Sequence, residues 1–87
     1  MHPRHRFAHN LRQARLRGGI SQAELAARCE LHRTEISLLE RGGREPRLGT
    51  IVKLAGALSI DSAALLEGIA WQPPATGAGR FQLSDPA

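Results

Sequence analysis

The chain has 87 residues, 41% of them hydrophobic and 3% aromatic, enough for one small domain with a modest core. Its single cysteine, Cys29, excludes an internal disulfide and suits a reducing cytoplasm; no apolar run approaches the roughly 20 residues that span a bilayer, and the basic N-terminal stretch lacks the apolar centre of a secretory signal. The net charge of +4 is lopsided, since residues 1–47 hold ten Arg and five Glu while 48–87 hold Lys53 and Arg80 against Asp61, Glu67 and Asp85, so the first half suits a polyanionic partner.

Apolar spacing predicts helices over 4–17, 22–29, 33–40, 48–58 and 62–67, hence an all-α, five-helix fold. In the first, Phe7, Leu11 and Ala14 recur at helical spacing, and Gly18 and Gly19 supply the turn that ends it. The second opens on Ser21 with Glu24 three residues on, a capping box, and Ile20 is placed to pack on Leu25 as a hydrophobic staple. The third repeats the layout with Leu31, His32, Glu35 and Ile36, although His is a weak cap. The fourth carries Leu48, Ile51, Val52, Leu54, Ala55 and Leu58; Gly49 and Gly56 each weaken it by about 1 kcal/mol relative to Ala. The fifth has Ile60, Asp61 and Leu65, a staple and a cap. After Ala70 the composition changes. Pro73, Pro74, Gly77 and Gly79 mark a linker over 72–79, and Phe81, Gln82 and Leu83 read either as a short strand or as a disordered end. The expected division is a domain over 1–70, then a linker and tail over 71–87, the tail being either a dimerisation strand or disordered.

The stretch 20–43 carries the functional pattern. Two short helices joined by about three residues cross at a wide angle, so the second can enter a DNA major groove while the first spans the backbone above it. Leu25, Ala26, Cys29, Leu31, Ile36 and Leu39 face inward. Arg33, Thr34, Ser37 and Leu38 are left on the outer face, with Glu35 between them as the reach-back of its capping box.

Segment 11–67 resembles the Cro/repressor-type helix-turn-helix family, also called XRE-like. The resemblance rests on Arg15, Ser21, Gln22, Leu25, Ala26, Ile36, Ser37, Glu40, Gly42, Pro46, Leu58, Leu65 and Leu66, in the family's order and spacing. It implies packed helices with the third as recognition helix, a transcriptional regulator of repressor type, and double-stranded operator DNA as partner. It also implies a buried ion pair between Arg15 and Glu40. On the positions it carries over, Gln22 grips a phosphate with its amide and backbone N–H. Arg33 and Thr34 reach base edges, Arg33 suiting guanine. Ser37 and Leu38 follow one turn on, Leu38 either touching a thymine methyl or partly buried against the domain. His32 reaches a phosphate or only caps. Arg41 and Arg44 clamp the backbone after the helix, and Arg12 and Arg17 reach it from the first helix. Three residues depart from the pattern. Glu30 stands where Gly is preferred and costs about 1 kcal/mol if the backbone there is left-handed. Glu35 stands where small polar residues are usual, and Arg47 replaces a Ser or Thr cap.

No enzyme is expected. His2, His5 and His9 have the spacing of a metal clamp, but flanking Arg and the lack of nearby Asp, Glu or Cys make them a basic arm, so neither a metal nor a cofactor is expected. Cys29 sits at a core-facing position and reads as filler rather than a nucleophile. A homodimer is expected, because one recognition helix reads too few base pairs to be selective. Ala63, Leu66, Ile69 and Trp71 either form an apolar patch for that dimer or close the domain's own core. The alternative function is an antitoxin or adaptor that binds a protein partner through residues 68–87 while also binding DNA. The expected location is the cytoplasm, at a bacterial nucleoid or as a phage-encoded protein, with no membrane contact.

Overall fold

Local signals place the helix ends in the computed structural model, which describes residues 2–85. The His2 side chain accepts from the Arg4 N–H, and Pro3, whose missing N–H costs nothing in a first turn, opens α1 (Pro3–Arg17). Gly19, at φ 69°, turns the chain out of it. Ser21 Oγ accepts from the Glu24 N–H at 3.1 Å and starts α2 (Gln22–Cys29). α3 (Arg33–Glu40) and α4 (Leu48–Leu58) open on His32 and Arg47 without a side-chain cap. Asp61 accepts from the Ala63 N–H at 2.9 Å and caps α5 (Ser62–Leu65).

The core is one cluster built from every helix: Phe7, Leu11 and Ala14 of α1, Leu25, Ala26 and Cys29 of α2, Ile36 and Leu39 of α3, Leu54 and Ala55 of α4, and Leu65 of α5. The staple residues Ile20, Leu31 and Ile60 pack on its edge, so each helix start is fixed to the core as well as capped. No helix among the described residues is long and apolar enough to cross a membrane.

Two expectations need correction. The fifth helix stops at Leu65 rather than at residue 67, because Gly68 at φ 82° reverses the chain. The carbonyls freed there are taken by α1 side chains: Asn10 Nδ2 donates to Leu65 O (3.0 Å) and Glu67 O (2.9 Å), and Arg6 Nε donates to Glu67 O (3.0 Å). Nor is the fold strictly all-α. Strands β1 (Ile69–Gln72) and β2 (Arg80–Leu83) form an antiparallel hairpin, with Ile69 opposite Leu83 and Trp71 opposite Phe81. Gln72 ends β1, residues 73–79 are the hairpin loop, and Phe81, Gln82 and Leu83 pair within the chain.

Period-two alternation explains the hairpin. Ile69, Trp71, Phe81 and Leu83 share one face, where the Trp71 and Phe81 rings meet edge to face at 5.1 Å. On the other face Arg80 Nε and Gln82 Nε2 both donate to Gln72 Oε1. Gly79 lies under the Trp71 indole, where any Cβ would collide with the ring.

Candidate nucleic-acid interface

The interface begins with a buried scaffold. Arg15 of α1 donates Nε to Glu40 Oε2 at 2.6 Å and Nη2 to Glu40 Oε1 at 3.0 Å, a bidentate pair with side chains only 11% and 4% exposed. Hydrogen bonding to Glu40 raises the Arg15 pKa above its ordinary value, although burial opposes this. Arg15 Nη1 also donates to Ile20 O at 3.0 Å, which fixes the segment before α2. Gln22, the first residue of α2, donates Nε2 to Glu40 Oε1 at 3.2 Å. One carboxylate at the end of α3 therefore holds α1, α2 and α3 together.

The turn between α2 and α3 places the recognition face. Glu30 adopts the left-handed conformation at φ 56°, ψ 40°, and Leu31 N–H closes the turn on Ala26 O at 2.9 Å. With Ile36 and Leu39 fully buried, Arg33 and Thr34 in the first turn of α3 are exposed. Ser37 and Leu38, one turn on, are half-buried. Leu38 lies against Gly43, a position that no larger residue fits without moving it, so this side chain is shared between the outer face and the scaffold.

Charge pairing changes two local expectations. Glu24 and Glu35 were expected to reach back to the residues that open their helices. Glu24 instead accepts from Arg28 Nη2 at 2.9 Å, and Glu35 accepts from Arg44 Nη1 at 2.6 Å. A charge-assisted bond to guanidinium is stronger than one to a neutral amide, so the Arg takes each carboxylate. The Glu35 charge is thereby neutralised beside the recognition face. His32 makes no side-chain cap bond and is exposed.

The remaining basic residues divide between two sides of the domain. Arg41 ends α3, exposed, with its Nε on Ser37 O at 3.2 Å. Arg44 and Arg47 line a cleft of about 510 Å³ between α3 and the start of α4, together with Glu35 and Thr50. Arg47 was missed as a candidate contact; an Arg standing where a cap is wanted, with a side chain that cannot cap, was the available signal. Arg12 is exposed and lies about 60° around α1 from Arg15, whereas Arg17 lies about 200° from it. Arg17 accordingly joins Ala64 and Glu67 at α5 and is not brought to α3. Among the described residues no group of three or more His, Cys, Asp or Glu side chains is placed to hold a metal ion.

A helix-turn-helix family model matches residues 11–65, more than half of the chain. This chain is an XRE-type helix-turn-helix protein. The regulator is 44% identical over 62 residues to the control protein C.BamHI of Bacillus amyloliquefaciens, an alignment covering 70% of this chain and 76% of that protein. It is similar in structure to the restriction-modification controller protein C.AhdI from Aeromonas hydrophila, with TM-score 0.70 and 39% identity over 71% of this chain and 94% of that one. It is also similar to the hypothetical transcription factor NHTF from Neisseria, with TM-score 0.69 and 41% identity over 72% and 71% of the two chains. The helix-turn-helix regulator is a DNA-binding protein of transcriptional regulation. Its hairpin begins at Ile69, beyond the family match, which ends at residue 65.

Proposed function

We propose that this regulator binds operator DNA as a homodimer, with α3 in the major groove of each half-site, and represses or otherwise controls a small set of genes. The supporting observation is the exposed first turn of α3, Arg33 and Thr34, on a helix whose opposite side, Ile36 and Leu39, is locked in the core. In this reading Arg33, Thr34, Ser37 and Leu38 read bases. Gln22 offers the α2 N-terminus to a phosphate, and His32, Arg41, Arg44 and Arg12 contact the backbone, with Arg47 added beside Arg44. Arg17, turned towards α5, contributes through long-range charge alone. The likeness to proteins named as a control protein and a restriction-modification controller supports control of restriction-modification genes as the biological setting.

A second copy has apolar surface to meet. Leu48 (79%), Val52 (56%), Leu66 (42%) and Trp71 (55%) are large apolar side chains left facing water, which a second copy would cover. The reading of an adaptor or antitoxin acting through residues 68–87 is less well supported, since the strand there already pairs with its own chain. The reading is of binding rather than catalysis, in keeping with relatives named as a control protein and a restriction-modification controller. The test is selection of bound duplexes from a random pool, followed by fluorescence anisotropy at several salt concentrations. A selected palindromic site should bind far more tightly than random duplex, with log K falling linearly against log salt. Equal affinity for selected and random duplexes at every salt would overturn the reading.

A further inference from the structure

Arg6 is the second buried arginine of α1, 9% exposed, and its surroundings differ from those of Arg15. None of the ion pairs among the described residues includes it. Its Nε is used by Glu67 O, and its guanidinium packs on Gly68, where a Cβ would meet it at 2.7 Å. Its Nη1 is buried with no hydrogen-bond partner, alone in this among the buried side-chain polar atoms of the described residues. A guanidinium offers donors only, and a buried cation needs both acceptors and a counter-charge.

The same side chain lines a cleft of about 410 Å³ between α1 and the hairpin. His5 and His9, one helical turn apart, add imidazoles, and Ser84 adds a hydroxyl. Phe81 and Leu83 of β2 supply an apolar wall. Asp85 also lines the cleft, so its carboxylate disfavours an anion on that side. Glu67 lines the neighbouring cleft, where Arg17 accompanies it. The volume lies within the range of small-molecule sites, and a few polar groups set against an apolar wall are their usual composition.

We propose that this cleft binds a small organic oxyanion, a carboxylate or phosphate ester carried on an apolar body. The oxyanion accepts from Arg6, with His9 and Ser84 as further donors, and the body lies on Phe81 and Leu83. Guanidinium geometry favours planar carboxylate and phosphate oxygens over a spherical ion. Because the ligand touches both α1 and β2, occupancy ties the hairpin to the helical domain and stabilises the fold by mass action. The site uses none of the base-reading residues and stands whether or not the DNA reading holds.

The test is a two-dimensional NMR titration of the full chain without DNA, at fixed ionic strength, with phenyl phosphate, benzoate, inorganic phosphate and sodium chloride as probes. Saturable shifts centred on the Arg6 Nε–H and the His9 and Leu83 amides are expected with phenyl phosphate or benzoate, with inorganic phosphate binding more weakly. Arg6 also holds the Glu67 carbonyl, so its replacement perturbs the fold; the exposed His9 carries the affinity test instead, and Phe81→Ala, which also removes the ring pair with Trp71, is read only as a ratio of two ligand affinities on the same variant. His9→Gln should weaken phenyl phosphate by about tenfold with an unchanged thermal midpoint, and Phe81→Ala should abolish the preference over inorganic phosphate. Shifts reproduced by chloride, or an affinity unaffected by both variants, would overturn the proposal. So would competitive displacement of phenyl phosphate by a random duplex, which would make the cleft a DNA-backbone contact.

Discussion

The helix-turn-helix and the hairpin are held by different forces. In α1–α3 the decisive contact is a buried, bidentate ion pair, and the apolar side chains around it are fully enclosed. In the hairpin the decisive contacts are a ladder and one aromatic pair, with Trp71 and Phe81 about half exposed. The first region presents polar and basic groups outward and leaves Leu16 as its one large apolar side chain facing water; the second leaves both of its aromatic side chains half exposed. A region that must hold a helix rigidly against a groove gains from over-determined packing. A region suited to meet another molecule keeps unsatisfied apolar area.

Breaking the ion pair tests that contrast most severely. Arg15→Ala leaves Glu40 buried without its partner and should cost about 3–5 kcal/mol, enough to unfold much of a small domain. Circular dichroism during urea titration reads the loss. A variant that stays folded but no longer binds DNA would instead place Arg15 in the interface.

Arg33→Ala should leave the urea midpoint unchanged and remove about 1–3 kcal/mol of preference for the selected duplex over random DNA, read by anisotropy. Equal losses on both duplexes would make Arg33 a phosphate clamp. Arg44→Ala should weaken both duplexes alike and flatten the salt slope, with a stability change under about 1 kcal/mol, because its pair with Glu35 is largely exposed.

In the hairpin, Trp71→Ala should cost no more than about 0.5–1.5 kcal/mol through the aromatic pair, yet shift sedimentation equilibrium towards monomer. An unchanged dimer would move the interface to Leu48 and Val52 of α4. Glu30→Gly acts in the opposite direction. Relieving the left-handed strain at φ 56° should raise stability by about 1 kcal/mol in the same urea titration.

Cys29 tests the enclosure of the core with the smallest effect. Burial pushes its thiol pKa up, and the Lys53 charge only partly offsets this. The folded state therefore favours the neutral thiol, so its contribution is complete below the ordinary thiol pKa and is lost as pH rises through the raised value. The urea midpoint should fall slightly in that alkaline range. At neutral pH a thiol reagent should react only as fast as the domain opens; immediate stoichiometric reaction would show that the α2 side of the core is not closed.

Local grammar made the helices legible. Ser21 and Asp61 cap their helices, Ile20, Leu31 and Ile60 pack at the starts, and the inward positions of α2 and α3 follow from a period of 3.6 residues. What escaped depended on partners distant in sequence. Arg44 takes Glu35 across 9 residues, and Asn10 and Arg6 take the carbonyls at the end of α5 across 55 to 61. Pro73, Pro74, Gly77 and Gly79 read as a linker because turn residues look alike whether they join domains or close a hairpin; only the pairing of Trp71 with Phe81 separates the two.

The sequence by itself determined that helices form, where all five begin to within a residue, and which residue types face outward on α3. These depend on periodicity and on caps three residues away, which are local. The tertiary structure alone decided which arginines are free. Of the two held in by packing on α1, Arg15 meets a carboxylate and Arg6 does not, because Glu40 ends α3 beside the one while the turn after α5 meets the other with the Glu67 carbonyl rather than its carboxylate. Charge is written in the sequence, but its compensation is settled by which side chains the packed helices bring within reach.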